Sequence, residues 1–120
     1  MPAKKDSYIA VFMTASKEED AASIAEKAVK EGLAACCNII PSVRSIYTWK
    51  GDVCDDRESL AVFKTRKSLF EKLSKRIKEL HSYEVPEIIA VKIEAGHRDY
   101  LKWIDEVTRP RRREARRASR

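Results

Sequence analysis

The run Tyr8-Ile9-Ala10-Val11-Phe12-Met13 is apolar at odd and even positions alike. Successive side chains of a strand point to opposite faces, so a sheet built on this run is apolar on both sides. Leu60 and Val62, alternating with Ala61 and Phe63, repeat the pattern in a second strand. The chain's own helices can cover one of these faces. The other is either a set of tolerated surface apolars or the contact face of an oligomer, and the density of the pattern favours the oligomer.

The rest of the chain supplies the helices. Ser7 to Thr14 reads as the first strand. Ser16 and Glu19 have capping-box spacing, and Ala21, Ile24, Ala25, Ala28 and Val29 form one stripe that ends at Gly32, which predicts a helix over 17–31. Leu33 to Ile40, then Val43 to Trp49, read as a strand interrupted at Pro41, with Lys50-Gly51 as the turn and Asp52 to Asp55, then Glu58 to Thr65, as the return. At roughly 3.3 Å per residue, a strand from Ala34 to Trp49 exceeds the width of so small a domain, so the hairpin projects past the body or bends at Pro41. Leu69, Phe70, Leu73, Ile77 and Leu80 predict a second helix, with Glu71 and Lys75 set to pair on its outer side. Glu87 to Ile93 is a fourth strand. A short helix using Tyr100, Leu101, Ile104 and Val107 stops before Pro110. The order βαββαβ plus a helix predicts an α+β ferredoxin-like sandwich with its helices on one side of an antiparallel sheet.

A chain of 120 residues suits one domain, expected over 1–108. The net charge of +6 comes from 25 basic and 19 acidic residues. Seven arginines and one glutamate lie in 109–120, which leaves 18 of each sign elsewhere, so the charge excess belongs to the tail. That tail is either a solvated, disordered extension or a non-specific polyanion contact. An RNA-binding sheet is not indicated, because Leu60-Ala61-Val62-Phe63-Lys64 carries neither the exposed aromatics nor the glycine of such strands. No apolar stretch approaches the roughly 20 residues of a membrane span. Cys36, Cys37 and Cys54 make an odd count without CxxC spacing, which argues against a disulfide framework or structural zinc and for a reducing cytoplasm.

Four linked motifs occur in fixed order. They are Ala34-Ala35-Cys36-Cys37-Asn38-Ile39-Ile40-Pro41, Ser45-Ile46-Tyr47-Thr48-Trp49-Lys50-Gly51, Lys64-Thr65-Arg66, and His81-Ser82-Tyr83-Glu84-Val85-Pro86-Glu87-Ile88-Ile89-Ala90. Together with Tyr100-Leu101-Lys102-Trp103 they resemble the CutA family of divalent-cation tolerance proteins from about Tyr8 to Val107. The resemblance implies a homotrimer with interlocking hairpins, a role in tolerance of copper or other divalent cations, no obligatory cofactor and no enzymatic reaction. It also implies an alternative, a sensor similar to the PII signalling proteins that binds a small molecule or partner protein in clefts between subunits. Copper sites proposed in the family resemble a His-His pair at the position of Leu80-His81 and a Cys where this chain has Met13. One ligand of the three is retained.

The residues themselves leave choices open. His81 is either a copper or zinc ligand or a helix-end cap, and Met13 is either a soft thioether ligand or core filler. Tyr47, Trp49, Lys64, His81, Tyr83 and Glu84 have the make-up of a ligand pocket or of a contact between subunits. Cys36 and Cys37 are adjacent in a strand and face opposite ways, so they cannot share an ion. Cys54 with Asp52, Asp55 and Asp56 is either an adventitious metal contact or, the default for such residues, a solvated acidic turn. For catalysis there is no Ser-His-Asp or Cys-His arrangement, HExxH, GxGxxG or P-loop, and Thr14-Ala15-Ser16-Lys17 lacks the glycines of an acylphosphatase loop.

Overall fold

A computed structural model describes residues 6–108. The arginine-rich stretch, and with it the choice between a disordered and a polyanion-binding tail, lies outside the described residues. The elements are β1 (Tyr8–Ala15), α1 (Glu18–Lys30), β2 (Cys36–Trp49), β3 (Asp52–Arg66), α2 (Phe70–Leu80), β4 (Ile89–Ile93) and α3 (Arg98–Val107), with one 3₁₀ turn at Lys67–Leu69 leading into α2. The sheet order is β2-β3-β1-β4 and every neighbouring pair is antiparallel. This is the expected ferredoxin-like arrangement with its additional helix.

Helix α1 ends as its sequence requires and begins otherwise. Gly32 adopts φ 74°, its N–H meets the Val29 carbonyl at 3.0 Å, and the Leu33 N–H meets that of Ala28 at 2.9 Å. A side chain there would be strained, which is why glycine closes the helix. At the other end Lys17 is the cap residue and makes no side-chain bond, so the Ser16–Glu19 box does not form. Glu18, Glu19 and Asp20 in the first turn offset the helix dipole instead. Ala21, Ile24, Ala25 and Ala28 are buried, whereas Val29 falls off the stripe into solvent. On α2, Leu73 and Ile77 are fully buried. Arg76 grips Glu31 beyond α1 (Nε to Oε1 2.9 Å) and reaches Glu79, and these contacts take the place of the expected Glu71–Lys75 pair.

Both helices cover the face of Ile9, Val11 and Met13 on β1 and Ala61 and Phe63 on β3, where the main core lies. Helix α3 corrects the expectation of helices on one side only. Tyr8 and Arg66 are register partners and so share the opposite face. The Tyr8 hydroxyl donates to Asp105 at 2.7 Å and Arg66 Nε to the Thr108 hydroxyl at 2.9 Å. Ile104 and Thr108 are fully buried yet stand outside the main core cluster, as a helix on the second face requires. What α3 leaves uncovered is apolar: Phe12 between Val62 and Ile89, Ala10 beside Val91, and Leu60 beside Ile40. Ile40, Ile89 and Val91 are exposed.

The hairpin bends and projects. Its register shifts between Ile40 and Val43, so Pro41 and Ser42 form a bulge, a place where a residue without an N–H costs no ladder bond. The Ser59 hydroxyl donates to the freed Pro41 carbonyl at 2.6 Å. At the tip, Lys50 and Gly51 take φ 51° and 87°, the two-residue turn whose twist suits antiparallel strands.

Candidate functional site

The bulge decides which side chains meet. Before it, β2 and β3 residues pair with a constant sum, as Ile40 with Leu60; after it the sum is one greater, as Val43 with Glu58. Side chains alternate with a period of two, so this single extra residue moves Ser45, Tyr47 and Trp49 to the face that carries Glu58, Asp56 and Thr14. That is also the face left apolar by the helices. Across from it, the segment after α2 runs extended through His81 (φ −81°, ψ 143°) towards Pro86 and β4.

Three hydrogen bonds shape that segment and hold it in place. His81 Nε2–H donates to the Thr14 carbonyl at 2.7 Å, and His81 Nδ1 accepts the Tyr83 N–H at 3.0 Å. The His81 and Tyr83 rings lie 4.7 Å apart at 48°. The Tyr83 hydroxyl then donates to Glu58 Oε2 at 2.7 Å and ties the segment to β3. Between segment and hairpin opens a cleft of about 750 Å³ whose walls include Tyr47, Trp49, Glu58, Tyr83, Glu84 and Glu87. Its volume falls within the range of small-molecule pockets, and its lining mixes aromatic, acidic and apolar side chains.

The phenols in the cleft are held protonated. The hydrogen bond from Tyr47 to Asp56, 2.5 Å long, raises the Tyr47 pKa to about 12. Burial first, and then the bond to Glu58, raise that of Tyr83 above the ordinary phenol range. Glu58 is only 9% exposed, one of its oxygens is occupied by Tyr83, and it has no ion pair among the described residues. Asp52, Asp55 and Asp56 near the hairpin tip are exposed, as a solvated acidic turn requires, and two of them also have partners: Asp55 takes both Arg44 Nε (2.9 Å) and Nη2 (2.6 Å), which holds its carboxyl below the usual range. Asp56 takes Tyr47.

The expected site residues divide. Tyr47, Trp49, Tyr83 and Glu84 come together in the cleft. Lys64 does not; its ammonium lies 3.7 Å from Cys36 Sγ at the other end of the face. His81 supports the cleft from behind and lines a smaller hollow of about 110 Å³ between α1 and the end of α2. The pairing of His81 with Met13 as a metal centre is not preformed. Both imidazole nitrogens are committed to backbone groups, and Met13 is fully buried in the main core. Among the described residues no three His, Cys, Asp or Glu side chains are grouped to hold an ion. Cys36 and Cys37 face opposite sides, as expected, since they pair with Lys64 and Phe63 respectively. Burial raises the Cys37 thiol to about 12. Sequence reasoning missed Glu58 and Glu87. The signal for Glu58 was Pro41, because a proline within a long strand marks a bulge, and a bulge resets which residues share a face.

A model of the CutA1 divalent ion tolerance protein family matches residues 9–107. The divalent-cation tolerance protein CutA of Thermus thermophilus is 49% identical over 98 residues, covering 82% of this chain and 95% of the relative. The chloroplastic protein CutA 1 of rice is 42% identical over 101 residues, and there the match spans 84% of this chain but 57% of the relative. Among solved structures, a periplasmic divalent cation tolerance protein CutA from Archaeoglobus fulgidus superposes with a TM-score of 0.82 at 35% identity, covering 84% of this chain and 98% of that one. Among the described residues no helix is long and apolar enough to cross a membrane.

Proposed function

The chain belongs to the CutA1 divalent ion tolerance family, and from that premise we propose that it serves divalent-cation tolerance as a cytoplasmic homotrimer that binds its ligands rather than transforming them. The observation that carries this reading is the coincidence of cleft and apolar face. Tyr47, Trp49 and Glu58 share a side with Phe12, Ile40, Ile89 and Val91, so a copy docked on the apolar residues closes over the cleft. Copper or another divalent ion is then bound by donors from more than one copy, since donors among the described residues of one chain do not converge. His81 and Met13 take part in such a site only if the ring releases the Thr14 carbonyl or the Tyr83 N–H. The three free thiols suit a reducing compartment.

Light scattering after size exclusion, followed by calorimetric titration with Cu²⁺ and Zn²⁺, tests the proposal. The expected result is a particle of three 13.8 kDa chains that takes up metal saturably. A monomer, or an assembled particle that gives no saturable heat, overturns it. A second reading, a sensor of small molecules similar to the PII proteins, is favoured by the size and aromatic walls of the cleft.

A further inference from the structure

We infer that the cleft takes an organic ammonium ion. The inference deepens the second reading above and rests on the cleft being a small-molecule site. Its first support is Glu58, a residue only 9% exposed that lines the cleft and whose second carboxylate oxygen has no hydrogen bond among the described residues. That oxygen stays accessible and is free to meet a donor or a counter-charge in the cleft. The cleft lining holds Glu58, Glu84 and Glu87 and no lysine, arginine or histidine, so its walls favour a cation over an anion.

The second support is the direction of the phenols. Tyr47 and Tyr83 both spend their protons on carboxylates, Asp56 and Glu58. Their oxygens therefore offer only lone pairs to a ligand, as do the three glutamates. The Ser45 and Thr14 hydroxyls on the wall can accept as well as donate, so the lining favours N–H donors and disfavours anions.

The third is the aromatic wall. Tyr47, Trp49 and Tyr83 line the cleft, and aromatic rings attract cations to their faces through their quadrupoles. The Lys50 ammonium already stands 5.7 Å from the centre of the Trp49 ring, so that indole holds an ammonium within the chain itself. A bare metal ion makes no use of such walls, and the roughly 750 Å³ of space suits an organic body attached to the charge.

The test uses the whole chain with Trp103→Phe, which leaves Trp49 as the one indole of the two in the sequence. Choline and spermidine are titrated in the presence of EDTA, with 3,3-dimethyl-1-butanol as the neutral isostere of choline. Trp49 fluorescence should change saturably with at least one of the two cations and not with the isostere. Glu58→Gln, which keeps the shape and the oxygen that accepts from Tyr83, should weaken the cation by about tenfold or more. Circular dichroism checks its folding, and Trp49→Leu, followed by calorimetry, serves as the second variant with the same expected direction. If the isostere binds as well as choline, or Glu58→Gln binds choline unchanged, the ammonium inference fails while the cleft stands as a small-molecule site. If no probe gives a saturable response, both readings fall together.

Discussion

Replacing His81 by alanine separates a structural role for this ring from a role as metal ligand. The substitution removes the bond to the Thr14 carbonyl (2.7 Å) and the bond from the Tyr83 N–H (3.0 Å). Each is worth about 1 kcal/mol net, and a polar partner left unpaired adds to the loss. The tilted contact with the Tyr83 ring contributes about 0.5–1 kcal/mol more. The sum is a destabilisation of about 2–3 kcal/mol, arising wholly within one chain. Urea unfolding followed by circular dichroism at one fixed protein concentration measures it, once in EDTA and once in Cu²⁺, because oligomerisation and ligands both shift apparent stability by mass action. A clamp predicts the same loss in both buffers. A ligand predicts a variant as stable as the parent in EDTA and deficient only in copper. A difference below about 0.5 kcal/mol in EDTA refutes the clamp, being smaller than the net worth of even one of the two bonds.

Other perturbations test other parts of the structure. All four tyrosines have raised pKa values, so the phenolate absorbance of the folded protein should develop above the ordinary value near 10, with Tyr47 ionising at about 12. Their neutral forms are the ones favoured by folding. Stability should therefore be full below pH 10 and decline from there towards 12; Tyr47→Phe should remove the Tyr47 step, and a titration indistinguishable from free tyrosine would count against the phenol hydrogen bonds of Tyr8, Tyr47 and Tyr83. Ile104→Ala, at a fully buried position, should cost about 2–5 kcal/mol and release the amides of α3 to hydrogen exchange before those of α1. Equal release of both helices would contradict the separate packing of α3. Gly51→Ala, at φ 87°, should cost about 1–2 kcal/mol through backbone strain alone, since an added Cβ meets nothing within 4 Å. Iodoacetamide at pH 8 should label Cys54 before Cys37, whose thiol burial pushes up to about 12, and the reverse order would show that Cys37 is not shielded.

The strands and helices were legible because their patterns are local. A run apolar at every position, an alanine stripe ended by glycine and a two-residue turn at Lys50-Gly51 each declare themselves within a few residues. The side of the sheet taken by α3 was not legible. Tyr100, Leu101, Ile104 and Val107 make the helix amphipathic whichever face it meets, and the choice is made by Tyr8 with Asp105 and Arg66 with Thr108, pairs 97 and 42 residues apart. His81 shows the same limit. Its residue type suits a metal, and only the distant Thr14 carbonyl shows that one ring nitrogen is occupied.

The site itself depends on a single count. With one residue fewer between Ile40 and Val43, Tyr47 and Trp49 would return to the opposite side of the hairpin, away from Asp56 and Glu58, because a strand's facing alternates residue by residue. The same residue types in the same order would then build no cleft. The bulge at Pro41 thus turns two aromatic positions towards a carboxylate that the helices leave accessible, and it does so on the face whose remaining apolar residues, Phe12, Ile40, Ile89 and Val91, call for cover. The excess of apolar strand positions and the acidic, aromatic cleft are therefore one surface. A substitution that polarises the uncovered face should be read for its effect on the cleft as well as on assembly.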